Sequence, residues 1–234
     1  MKCSASTGNT GKHWLSKLLP NSQKLRMLSY LPKLETWRRE KAGDARLFEG
    51  RYEMYAWINR EILGEAAIDY LEFGVFQGES IRAWTETNTH ADSRFWGFDT
   101  FTGLPEDWDR VINPLDENAF DTGGEFPEIP DERVAFEKGL FQETLPGFLD
   151  REGFRSPLVI HNDSDLYSAT LFVLTRMNEY FAPGTVILFD EFSTIFDEYR
   201  ALEDYCAAYV RDYTVLAATR SAKSYYSQVA IQLV

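Results

Sequence analysis

The chain has 234 residues, 44% of them hydrophobic and 26% charged, with a formal net charge of −13. That is enough apolar material for one α/β core and too much for a disordered chain. Residues 1–51 hold eleven Lys/Arg against four Asp/Glu, and the remainder holds thirteen against thirty-three. So acidic a body excludes nucleic acid and anionic membrane as general partners.

No apolar run reaches the ~18 residues of a membrane-spanning helix, and none near the N-terminus reads as a secretory leader. Two cysteines, Cys3 and Cys206, are too few for a disulfide framework, so free thiols in a cytoplasmic protein are expected. Residues 1–12 are small and polar and are expected to be disordered. From His13 to Leu34 leucines recur, interrupted by Pro20 and Pro32, which predicts short helical pieces. Residues 1–50 are thus set apart as a basic extension, a candidate contact for a second copy of the chain, and 51–234 as the principal domain. Arg51–Leu63 reads as a helix ended by Gly64.

Beyond it, runs rich in β-branched and aromatic residues fall at 67–73, 94–98, 133–137, 157–162 and 185–189. Helical segments at Glu79–Thr87, Glu143–Asp150, Leu166–Phe181 and Phe196–Arg211 fill most of the gaps and follow the last run. The alternation predicts a Rossmann-like α/β fold with a mainly parallel sheet. Residues 213–220 and 227–234 are separated by six residues, which permits a hairpin but no parallel crossover. The stretch Phe101–Asp131, with four prolines and three glycines, fits no element and reads as a lid or binding loop with Trp108 as its apolar contact.

Chemistry is expected where the strands end. YLEFGVFQGES (70–80) places Gly74 and Gly78 in a tight strand–helix turn. Neither the dinucleotide fingerprint nor the P-loop is present, and Glu72 suits a cofactor with a cationic head. Asp99, one strand later in FWGFDTF, stands where an acid reaches a ribose diol. HNDSDLY (161–167) and FDEF (189–192) bring Asp163, Asp165, Asp190 and Glu191 to one edge, where the charge requires a cation, a proton or hydrogen-bond donors. Asp165 is assigned to the N-cap of the next helix and Asp163 to the site. His161 is a candidate general base.

LEFGVFQGES, GFDTFTGLPEDW, KGLFQETLP, IHNDSDLYSAT and PGTVILFDEF, with DEYRALEDY after them, resemble the macrocin O-methyltransferase (TylF) family of class I S-adenosylmethionine-dependent methyltransferases. The resemblance runs from about Glu49 to Val234. It implies a seven-stranded sheet ending in an antiparallel hairpin, S-adenosylmethionine as cofactor and a small-molecule hydroxyl acceptor, such as a sugar of a natural product. It places Glu72, Gly74, Val75, Gly78 and Ser80 at the methionine end of the cofactor. Asp99, Thr100 and Phe101 fall at the ribose, Gly139 and Phe141 at the adenine, and Asp163 beside the reacting centre. It also implies a Mg²⁺ site formed by Asp163, Asp190 and Glu191, with glutamate where relatives carry a second aspartate. His161 and Asp163 are the catalytic candidates. Two readings compete: a glycosyltransferase-like enzyme using Asp163 and Asp165 as a D-x-D clamp, and a non-catalytic adenosyl-binding module.

Overall fold

A computed structural model describes residues 23–106, 119–220 and 226–234. The expectations for residues 1–12, Cys3, Pro20 and Trp108 lie outside the described residues. Helix α1 spans Gln23–Glu40, followed by β1 (Arg46–Phe48), α2 (Arg51–Trp57) and a π-helical turn, Ile58–Ile62. Then come β2 (Asp69–Phe73), α3 (Glu79–Thr87), β3 (Arg94–Asp99), β4 (Val134–Lys138), α4 (Phe141–Arg151) and β5 (Leu158–Asn162). The chain closes with α5 (Tyr167–Met177), β6 (Val186–Phe189), α6 (Glu198–Tyr209), β7 (Tyr213–Thr219) and β8 (Val229–Leu233). No helix among the described residues is long and apolar enough to cross a membrane.

The strands form one sheet in the order β1-β7-β8-β6-β5-β2-β3-β4. All neighbouring pairs are parallel except those made by β8, which lies antiparallel between β6 and β7. Short C-terminal connection and antiparallel pairing agree, as the geometry of a hairpin requires. The sheet has eight strands where seven were expected. The addition is β1, three residues paired in parallel with β7 from Arg46↔Ala217, too short to stand out as an apolar run.

Side-chain alternation along each strand divides the core. Leu71, Phe73, Trp96, Phe98, Ile160 and Ile187 face α1, α4, α5 and α6. Tyr70, Phe95, Val159, Val186 and Leu188 face α2, the π turn and α3. Each large apolar side chain so buried contributes about 1.5–3 kcal/mol, and both faces are covered.

Three local expectations change. Pro32 lies inside α1 instead of breaking it, because Leu34 and Trp37 are buried in the core beyond the proline and their packing offsets a lost backbone bond of about 3 kcal/mol. The helix expected over Arg51–Leu63 changes register: Leu63 N donates to Ile58 O at 3.0 Å, a five-residue step, before Gly64 turns the chain at φ 61°. Asp165 does not cap α5. That position belongs to Leu166, which makes no side-chain cap bond, and Asp165 itself adopts φ 62°.

Helix α6 ends on Val210, held at φ 54°, ψ 46° and 92% exposed. A β-branched residue in the left-handed region costs about 1–2 kcal/mol, and so exposed a side chain recovers little by packing. Val210→Gly is expected to stabilise the fold by about 1 kcal/mol, read as a higher urea midpoint at unchanged slope. A lower midpoint would show that the valine contributes more than its conformation costs.

Candidate functional site

Strand order reverses between β2 and β5, so the loops leaving their carboxyl ends diverge and open a cleft. Its volume is about 320 Å³, within the size range of small-molecule sites. Its walls come from the β2–α3 turn, the segment after β3, the start of α4, the loops after β5 and β6, and Arg51 at the start of α2.

The β2–α3 turn is held against β5. Gly74 has φ +91°, and a Cβ placed on it would stand 1.9 Å from the Asp163 carbonyl oxygen, a position open only to glycine. Gly74 N donates to Phe98 O at 2.9 Å and Asp163 N to Phe73 O at 2.9 Å, so the three strand ends are tied together. Gly78 caps α3 at φ 75°. Asp99 braces the turn from the next strand: Oδ2 accepts from Val75 N at 2.7 Å and Phe76 N at 2.9 Å, and Oδ1 from Phe101 N at 2.7 Å. The acid both lines the cleft and organises the loop that forms its floor.

Across the cleft, Asp163, Asp190 and His161 present ligand-type atoms that all lie within 4.8 Å of one another. The two carboxylates at that spacing offer oxygen ligands that fit a divalent cation. Glu191 is not in this group. It lines the cleft, while its backbone N–H donates to Glu198 Oε2 at 2.9 Å. Nor is Asp165, although it too lines the cleft.

His161 is 1% exposed and sits in a buried polar chain beneath the cleft. Tyr70 Oη donates to Glu72 and lies 2.8 Å from His161 Nδ1, while Tyr55 Oη lies 3.4 Å from Nε2. Glu72 approaches Nδ1 at 3.4 Å and Asp190 approaches Nε2 at 3.9 Å. Burial disfavours the imidazolium, but Asp190 and Glu72 outweigh it and push the His161 pKa up to about 10. A protonated imidazole has no lone pair for a substrate proton. Burial, then Asp190, raises the Asp163 carboxyl well above the usual carboxylate range, and burial does the same for Glu198.

The folded chain therefore holds protons that the unfolded chain releases. The His161 contribution is fully present below its ordinary pKa of 6.5 and is lost as pH rises through about 10. The raised carboxyls act in the same direction, losing stability as pH rises above the ordinary carboxylate range. Thermal midpoints measured in EDTA are expected to fall steadily from pH 6.5 to 10, with a shallower slope in His161→Gln. A flat or rising profile would overturn this charge assignment.

Of the residues singled out in sequence, Gly74, Val75, Ser80, Asp99, Thr100, Phe141, Asp163, Asp190 and Glu191 line the cleft. Five stand behind its surface. Glu72 faces the side of the sheet covered by α2 and α3 and pairs with Tyr70 and His161, on the same side of the strand as Tyr70. Phe101 is fully buried at φ 58°, edge-on to Phe126. Gly78 and Gly139 act through the backbone, Gly139 N donating to Asp99 O at 2.9 Å, and His161 is buried as described.

Sequence reasoning missed Arg51, whose Nη1 is 3.5 Å from Asp190 and whose Nη2 is 3.0 Å from Glu79. It also missed Phe76 and Phe120, which line the cleft edge-to-face with centroids 5.4 Å apart. Phe120 belongs to the long Phe101–Asp131 connection, whose described end returns through a Thr102↔Asp121 bridge. Loop apposition of this kind has no sequence period to reveal it.

Residues 41–214 match the family described as macrocin-O-methyltransferase (TylF). No match to the sequence was found among curated proteins. Among solved structures, the O-methyltransferase NovP is 21% identical, with 78% of each chain covered and a TM-score of 0.59. The calicheamicin methyltransferase CalS11 is also 21% identical, covering 98% of this chain and 94% of its own, at a TM-score of 0.59. TomG from Streptomyces achromogenes, solved with S-adenosylmethionine, is 18% identical over 97% and 96% of the two chains, at 0.52.

Proposed function

Since the chain belongs to the macrocin O-methyltransferase (TylF) family of S-adenosylmethionine-dependent methyltransferases, we propose that it methylates a hydroxyl of a small natural-product acceptor with the help of a divalent cation. The observation that carries this reading is the pairing, across one cleft, of a glycine turn braced by Asp99 with the Asp163/Asp190 pair. CalS11 is a TDP-rhamnose 3′-O-methyltransferase and TomG takes part in tomaymycin synthesis. A sugar hydroxyl is accordingly the acceptor class we favour.

S-adenosylmethionine supplies an electrophilic methyl group on a cationic sulfonium, and a cleft lined by acids favours a cation there. The floor of the β2–α3 turn and Asp99 would hold the cofactor, with Leu140, Phe141 and Gln142 at its adenine side. A divalent cation on Asp163 and Asp190 would supply Lewis-acid polarisation of the hydroxyl. Asp163, which lines the cleft, is the residue placed to take the hydroxyl proton when its carboxyl is ionised. His161 acts from beneath as a charge partner of Asp190. The remaining work is positioning, which brings oxygen and methyl carbon into line.

Asp99→Ala tests the cofactor half. Loss of hydrogen bonds to a charged group costs about 1.5–3 kcal/mol, so S-adenosylhomocysteine affinity should fall about ten- to hundredfold by calorimetry. Unchanged affinity would remove Asp99 from the site. For the function itself, S-adenosylmethionine should raise the thermal midpoint while UDP-sugars and NAD leave it unmoved. The reverse pattern would restore the glycosyltransferase reading.

A further inference from the structure

Arg51 is the one basic side chain among the described residues lining a cleft that also presents Glu79, Asp99, Asp163, Asp190 and Glu191. It opens α2 directly after Gly50, and its guanidinium divides between two acids. Nη1 stands 3.5 Å from Asp190 Oδ1, a side chain only 11% exposed, and Nη2 stands 3.0 Å from Glu79 Oε2, 61% exposed. Asp190 is also a member of the group that fits a divalent cation. One carboxylate is thus shared by a resident cation of the chain and by the position of an incoming one.

We propose that Arg51 is a built-in competitor for the divalent-cation site, occupying Asp190 when the site carries no metal and withdrawing to Glu79 when metal binds. The inference rests on the metal reading given above. Its physics is direct. Like charges a few ångströms apart in a partly desolvated cleft repel strongly, so a cation bound to Asp190 is favoured only as the guanidinium leaves that oxygen. Glu79 makes the withdrawal possible: it already holds the other arm of the fork, and its exposure leaves room to take the whole guanidinium. Arg51 keeps the acidic cluster neutralised before metal arrives and lowers the affinity with which metal is taken up.

The test is Mn²⁺ titration calorimetry on the full chain, with folding checked by the thermal midpoint of each variant. Arg51→Gln is expected to bind Mn²⁺ about tenfold more tightly than the parent. Arg51→Lys keeps the charge but cannot span both acids, so it should fall between the two and serves if the glutamine variant folds poorly. Glu79→Gln is expected to weaken Mn²⁺ binding by confining Arg51 to Asp190, and to have no such effect in the Arg51→Gln background. Tight Mn²⁺ binding that Arg51→Gln leaves unchanged or weakens would overturn the competition alone. Equal weakening by Glu79→Gln in both backgrounds would overturn it too, assigning the effect to the field of Glu79. Absence of Mn²⁺ binding in every variant would overturn both the competition and the metal reading.

Discussion

Gly74→Ala is expected to abolish S-adenosylhomocysteine binding and to cost about 2–6 kcal/mol of folding stability. Two costs combine. The backbone sits at φ +91°, where an L side chain is strained, and the new Cβ would stand 1.9 Å from the Asp163 carbonyl oxygen and 2.7 Å from its carbonyl carbon. Those are backbone atoms at the end of a central strand, so no side chain can rotate away. Relief requires β2 and β5 to part where Asp163 N donates to Phe73 O, and strains the bond from Gly74 N to Phe98 O on β3. The same displacement moves Asp163, so Mn²⁺ binding should fail together with cofactor binding. Gly64→Ala is the internal control: φ is +61°, but nothing lies within 4 Å of the added carbon, and the loss should stay near 1 kcal/mol. Urea midpoints and calorimetry on both variants check the contrast. Equal effects at the two glycines would show that conformation, and not the approach of β5, sets the requirement at Gly74.

That contrast also shows what could be read from the chain and what could not. The inner parallel strands β2, β3, β5 and β6 announce themselves as apolar runs rich in β-branched and aromatic residues because a parallel sheet covered on both faces needs little polar alternation. The glycine turn, Asp99 and the acids after β5 and β6 were legible because the topology of an open sheet brings strand ends together. What stayed hidden depends on apposition. Three residues of β1 become a strand only because β7 presents an edge to them. The inward face of Glu72 follows from strand register, and its burial with Tyr70 and His161 from the packing of α2 and α3 over that face. Arg51 reaches the site from 139 positions away from Asp190, with no motif linking the two. The exchange of Glu191 for His161 beside the aspartates arises from the loop after β6, where Glu198 captures the Glu191 N–H.

Removal of the acid at the centre of the site should produce the largest loss of activity. Asp163→Asn is expected to lower methyl transfer about 10²- to 10⁴-fold, the usual contribution of a positioned proton acceptor. S-adenosylhomocysteine affinity should change little, because the Asp163 contacts to the cofactor turn run through its backbone. Asp190→Asn should act differently. It keeps the proton acceptor but removes charge from the group that fits the cation, so activity should return in part at higher Mg²⁺. Exhaustive EDTA treatment should silence the parent enzyme, and Mg²⁺ should restore it. Rate measurements with the parent and both variants, at fixed cofactor saturation and across Mg²⁺ concentration, separate the two roles. Full turnover after chelation would remove the cation from the chemistry and leave Asp163 acting alone. His161, held protonated with its pKa pushed up to about 10, could not replace Asp163 at neutral pH. Residual activity in Asp163→Asn within about threefold of the parent would instead assign the hydroxyl proton to another acceptor, since general-base removal carries a far larger penalty.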